Sequence, residues 1–142
     1  MNTDERRLQL NAITEKIIGC AYTVANRLGA GFLEKVYENA LAIELEKADL
    51  KVEQQKAVNV VYDGRTVGQY FCDILVDQNI IIELKAQKFI EESHGAQCMN
   101  NLKATGLNVC LLINFGKPRI EIKRFVLGFN LRSSAFISGL SS

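Results

Sequence analysis

The chain has 142 residues, 48% of them hydrophobic, which is enough for one domain with a real core. Seventeen Lys and Arg against sixteen Asp and Glu leave a net charge of +1, which excludes a global field drawing nucleic acid to the surface; any such binding must come from a local patch. No signal-peptide core and no run of eighteen apolar residues is present, so neither export nor a membrane span is expected.

Thr3-Asp4 caps a first predicted helix that runs to about Leu28, with Ile13, Ile17, Cys20 and Ala21, Val24 and Leu28 at helical spacing. Gly29-Ala30-Gly31 breaks it. A second helix spans roughly Leu33 to Ala48 and turns Val36, Tyr37, Ala40, Leu41, Leu45 and Ala48 inward. Tyr37 belongs to that stripe, with its hydroxyl reaching a partner; Glu38 reads as exposed. Val52–Tyr62 reads as a strand, Asp63-Gly64 as a hairpin turn and Val67–Val76 as the return strand. Asp77-Gln78-Asn79 makes a second turn into the strand Ile80–Lys85. A polar stretch leads to a third helix, roughly Ser93 to Ala104, that stops at Gly106. Its His94, the single histidine of the chain, reads as a surface or capping residue. Val109–Phe115 and Ile120–Val126 follow as strands on either side of Gly116-Lys117-Pro118. The tail from about Leu131 to Ser142 is rich in Ser and small residues and is expected to be flexible, leaving residues 1–130 as a single domain.

The order ααβββαββ predicts an α+β (or α/β) layer, a mixed sheet flanked by helices. The helix between Lys85 and Val109 is long enough for a crossover, which would set the strand after it parallel to one of the first group. The four cysteines, Cys20, Cys72, Cys98 and Cys110, lack CxxC spacing and sit in apolar segments. They read as buried free thiols of a cytoplasmic protein, with neither disulfides nor a zinc site.

The chemistry concentrates between Phe71 and Gln87, where Asp73 precedes Glu83-Leu84-Lys85 by ten residues among core-forming neighbours. A carboxylate at the edge of an apolar sheet is costly unless something compensates it, and a divalent cation shared by two carboxylates would do so. If Asp77-Gln78-Asn79 is the loop, Val76 pairs with Ile80 and Asp73 with Glu83. One face then carries Phe71, Asp73 and Leu75 beside Ile81, Glu83 and Lys85. The other carries Cys72, Ile74 and Val76 beside Ile80, Ile82 and Leu84 and is wholly apolar. A two-residue turn would put Asp73 opposite Leu84 and scatter the charges. The three-residue turn is therefore expected, with Asn79 taking the left-handed conformation.

Gly31-Phe32-Leu33-Glu34-Lys35-Val36-Tyr37 fits the GxxExxY pattern of a family of small prokaryotic proteins placed in the PD-(D/E)XK nuclease superfamily, and Asp73 with Glu83-Leu84-Lys85 resembles that superfamily's core motif. The similarity runs from about Ile13 to Val126 and includes Leu102–Gly106 and Leu111–Gly116. It implies a restriction-endonuclease-like core and Mg²⁺-dependent (or Mn²⁺-dependent) cleavage of nucleic acid, DNA rather than RNA. It also implies roles: Asp73 and Glu83 as metal-binding carboxylates, the Leu84 carbonyl as a further ligand, and Lys85 as the residue that orients or activates water. Glu34 resembles the extra acid that exonuclease-like branches supply from an early helix. Gln97 resembles the glutamine of a QxxxY helix motif, whose tyrosine is replaced here by Asn101. Cys72 stands where the superfamily's proline would be.

Hard oxygen ligands suit Mg²⁺ or Mn²⁺, and a lysine beside them adds positive charge to the transition state. Blander readings stand beside each residue. Asp73, Glu83 and Lys85 alone would also fit a solvated hairpin, Glu34 a first-turn acid favoured by the helix dipole, and Gln97 an exposed helix position. Lys117, Arg119, Lys123 and Arg124 form the best candidate for contact with a phosphate backbone. Near-zero charge and the replaced tyrosine leave an alternative, a non-catalytic nucleic-acid-binding or protein-interaction module on the same fold. A homodimer or a protein partner stays open.

Overall fold

A computed structural model describes residues 2–128; the flexible tail expected from Leu131 lies outside them. Helix α1 (Thr3–Leu28) is capped by Asn2, one residue before the expected cap. Asn2 Oδ1 accepts from the Glu5 amide, and Glu5 Oε1 accepts from the Asn2 amide, a reciprocal capping box. The helix stops where Gly29 takes φ +70°. Its inner stripe, Leu10, Thr14, Ile17, Ala21 and Val24, steps by four and three residues as a buried helix face must. Helix α2 (Glu34–Lys47) buries Tyr37, Glu38, Leu41, Ala42 and Leu45.

The strands are β1 (Val52–Tyr62), β2 (Arg65–Val76), β3 (Ile80–Lys85), β4 (Val109–Asn114) and β5 (Glu121–Val126), with α3 (Glu92–Thr105) between β3 and β4. They form one mixed sheet in the order β1-β2-β3-β4-β5. Only β3 and β4 run parallel, joined by α3 as the expected crossover, and the remaining pairs are antiparallel. The fold is α+β, consistent with a restriction-endonuclease-like core. Helices α1 and α2 cover one face through Ile74, Val76, Ile80, Ile82, Leu84, Val109, Leu111 and Ile113; α3 covers the other through Leu75, Ile81, Cys110 and Leu112. Burial on both faces explains why Ile80–Ile82 and Val109–Ile113 read as unbroken apolar runs. No helix among the described residues is long and apolar enough to cross a membrane.

The expected register of the second hairpin is present, with Val76 opposite Ile80 and Ile74 opposite Ile82. Its turn differs in one respect. Asp77 and Gln78, not Asn79, take positive φ, +50° and +58°. Asp77 is held there from outside, since its Oδ1 accepts from the Lys51 amide and its own amide donates to the Lys51 carbonyl. Three of the cysteines are buried and Cys20 is half-buried; all four are free thiols. His94 caps α3, its Nδ1 accepting from the Glu91 amide.

Tyr37 fixes α2 to the sheet. Its ring stacks on Phe115 at 4.7 Å, and its hydroxyl donates to the Gly29 carbonyl at 2.6 Å while accepting from the Phe32 amide. Beyond the parallel strands, fully buried Asn114 ties two loops together. It accepts from the amides of Gln87 and Gly116 and donates to the Gln87 carbonyl and to Glu121. A Cβ on Gly116 would lie 2.3 Å from the Gln87 backbone. Gly116→Ala should therefore destabilise by about 3 kcal/mol or more, because a main chain cannot step aside as a side-chain tip can. Urea unfolding checks this; an unchanged midpoint would mean that the loops are not locked together.

Candidate active site

Asp73 sits where the sheet begins to come apart. The β2–β3 ladder ends at Ile74–Ile82, so Asp73 and Glu83 do not form the ladder pair expected of them. Instead the Asp73 carboxylate enters the gap, and its Oδ2 accepts from the Leu84 amide at 2.7 Å. Strand residues present N–H and C=O to the same side, so the Leu84 carbonyl faces this edge too, while its side chain packs under α1 and α2. On the other flank Asp73 Oδ1 accepts from Gln55 Nε2 at 3.3 Å.

The strand alternation also breaks at this point. Cys72 was expected to share a face with Ile74 and Val76, but it packs with the α3-side cluster while they pack under α1 and α2. Opposite Asp73, Gln55 has φ +53° and neither residue is bridged, although Gln54–Ile74 and Lys56–Cys72 pair on either side. This local distortion rotates the protruding part of the ribbon and leaves Asp73 free to turn its carboxylate toward β3.

Glu83 points to the α3 face and is 3% exposed. Asn101 Nδ2 donates to its Oε2 at 2.8 Å. Burial first, then the charge of Asp73 and a hydrogen bond with it, push the Glu83 carboxyl up to about 9, while Lys85 pulls the other way. The two carboxyl groups therefore lie close enough to act on each other. Burial and then the Glu83 charge push the Cys72 thiol up to about 12, and the same two causes raise the Tyr70 hydroxyl. Cys110 is raised first by its hydrogen bond with Cys98 and then by burial. These thiols stay neutral and serve as packing around the acid.

Lys85, half-buried, ends β3 on the Glu83 side, and Gln97 lies half-buried on α3, one turn before Asn101. Glu34 is exposed in the first turn of α2. The α2 carboxylate that reaches the Asp73 group is Glu38, which was expected to be exposed and is 4% exposed. Lys35 and Gln54 donate to its Oε2, and Gln55 Nε2 donates to its Oε1, joining it through one amide to Asp73. Glu38 keeps step with Ala42 and Leu45 on the buried stripe, a spacing that carried the signal. Asn101 likewise keeps step with Cys98 and Leu102. Nothing in the sequence marked Gln55.

The basic cluster does not stay together. Lys117 pairs with Glu121 at 3.6 Å and lies over the Phe89 ring, whereas Arg124 donates to Asn11 on α1. Among the described residues, no three of His, Cys, Asp and Glu converge into a complete metal cage. Two neighbouring carboxyl groups of hard oxygen, one driven toward its neutral form by burial, are still what Mg²⁺ takes from a protein, since it keeps most of its waters. The donor set fits such an ion and does not fit structural zinc.

The sequence profile described as the PD-(D/E)XK nuclease superfamily matches residues 11–125. That span contains every residue of the Asp73–Glu83 group. No curated protein and no solved structure matches the chain.

Proposed function

We propose, since the chain belongs to the PD-(D/E)XK nuclease superfamily, that it hydrolyses phosphodiester bonds of DNA with Mg²⁺ or Mn²⁺ as cofactor. Nuclease activity is what the superfamily suggests, and its members typically use divalent ions. The observation that carries the reading for this chain is the meeting of Asp73 with a buried Glu83 whose carboxyl is pushed up to about 9. A structural acid would be expected to find a cation at contact distance or several donors; Glu83 has one amide donor, lies beside another acid and feels Lys85 only through its charge.

Asp73 and Glu83 would hold the ion, with the Leu84 carbonyl at the same edge as a third oxygen and Glu34 or Glu38 reached only through rearrangement of α2's first turns. When bound, such an ion supplies charge at the phosphoryl oxygen and a more acidic water. Lys85 extends its ammonium from the end of β3, where it can orient the attacking water and offset charge that develops on the phosphate. Gln97, half-buried on α3, would contact the substrate strand in this reading.

The test is cleavage by the purified chain of single-stranded, duplex, nicked and branched DNA, and of RNA, in Mg²⁺ or Mn²⁺, beside Asp73→Ala. Metal-dependent cutting lost in Asp73→Ala is the expected result. Mn²⁺ binding without cutting of any substrate would transfer the reading to a nucleic-acid-binding or protein-interaction module.

A further inference from the structure

Two departures from good local structure end on the same pair of carboxylates. Gln55 holds φ +53° inside β1, whereas the other non-glycine residues with positive φ among those described (Asp49, Asp63, Asp77 and Gln78) lie outside strands. Glycine takes this conformation freely, and a residue with a Cβ is held in it against preference. What glutamine brings is its amide, which donates to Asp73 Oδ1 and to Glu38 Oε1. Asn101 is fully buried, donates Nδ2 to Glu83 Oε2 and leaves its Oδ1 without a partner, the one buried side-chain polar atom so placed among the described residues. A leucine of similar outline would spare the core that unpaired oxygen. Neither residue is the best choice for the fold, and each spends its amide on one acid of the pair. Local rules are broken where function outweighs them.

We propose that Gln55 and Asn101 form an amide clamp, one amide to each carboxylate, that presets the Asp73–Glu83 pair for a divalent cation. The clamp rests on the metal-dependent nuclease reading. Asp73 Oδ2 is committed to the Leu84 amide and Glu83 Oε2 to Asn101, so the ion would take the oxygens that the two acids turn to each other, in place of the proton Glu83 holds there. Without the two amides, the acids would be free to turn apart once an ion displaces the Glu83 proton and both carry charge, and binding would have to supply the work of holding them together. Gln55 and Asn101 touch neither substrate nor reacting atoms and are positioning residues. Outer partners of metal ligands typically matter by about 10–100-fold in affinity.

The experiment reads stability and metal affinity separately, in Gln55→Gly and Asn101→Leu, with Asn101→Ala in reserve should leucine overpack the core. The metal-free thermal midpoint of Gln55→Gly is expected to hold within about 4 °C of wild type or to rise, while in Asn101→Leu relief of the unpaired oxygen offsets the lost donor to Glu83. Calorimetric Mn²⁺ titration should show affinity falling about 10–100-fold in each. A purely structural role predicts the reverse, a lowered midpoint with wild-type affinity, and that result overturns the clamp. Wild-type Mn²⁺ affinity in either folded variant also overturns it while leaving the nuclease reading intact. Absence of Mn²⁺ binding by the wild-type chain would bring down the metal reading, and the clamp with it.

Discussion

Lys85→Ala is expected to keep divalent-ion affinity at the wild-type level or slightly above it, while cleavage falls by about 10²–10⁴-fold. The split follows from what the side chain offers. An ammonium donates and repels cations, so it cannot be a ligand, and Lys85 acts on Glu83 only by its charge. Asp73→Asn should lose both affinity and cleavage. The amide that replaces the carboxylate can still accept from Leu84, so the strand edge is spared while the charge is removed. Mn²⁺ calorimetry beside a cleavage time course on the best DNA substrate separates these outcomes. Full-rate cutting by Lys85→Ala would put the active site elsewhere or mark the activity as a contaminant's.

Without metal, the protein should lose stability as pH rises from about 4.5 toward about 9. Glu83 has an ordinary value of 4.5 in the unfolded chain and about 9 in the fold. Between the two, the folded state binds the proton that the unfolded state has released, so stability falls with pH at about 1.4 kcal/mol per unit. Cys72 and Tyr70 are raised from values of 9.0 and 10.0 and therefore begin to contribute only above that window. Glu83→Gln should remove the slope and be more stable than wild type at pH 8 in EDTA. Saturating Mn²⁺ should restore the wild type at pH 8 and leave Glu83→Gln nearly unmoved, because an ion that binds only the fold stabilises it by mass action. Urea midpoints at pH 5 and pH 8, with EDTA or Mn²⁺, decide the matter. Equal wild-type midpoints at both pH values in EDTA would show that Glu83 is not held in its neutral form.

The elements, their order, the α3 crossover and the register of the second hairpin were all legible in the sequence, because each depends on near neighbours. Helical spacing put Ile17, Ala21 and Val24 on one stripe, and apolar runs marked Ile80–Lys85 and Val109–Phe115 as strands. The register followed from the turn length and from the need to bury Ile80, Ile82 and Leu84 together. The grouping of Asp73 with Glu83 could be derived from that register, though the route differed, with Asp73 entering the gap between strands and not pairing across a ladder.

Tertiary structure alone decided what surrounds that pair. Strict alternation assigned Cys72 to the wrong face, because it has no means of anticipating a residue at φ +53° across the ribbon. From sequence, Glu38 read as exposed and Asn101 only as the residue in place of a tyrosine, although both lie on buried stripes with polar partners from distant elements. Burying a charged or amide side chain is costly unless partners meet its polar atoms, and those partners, sixteen to eighteen residues away, become neighbours only once α2 and α3 dock on opposite faces of one sheet. Sequence fixed where the acids lie along the chain; docking determined which amides hold them and how strongly burial presses Glu83 toward its neutral form.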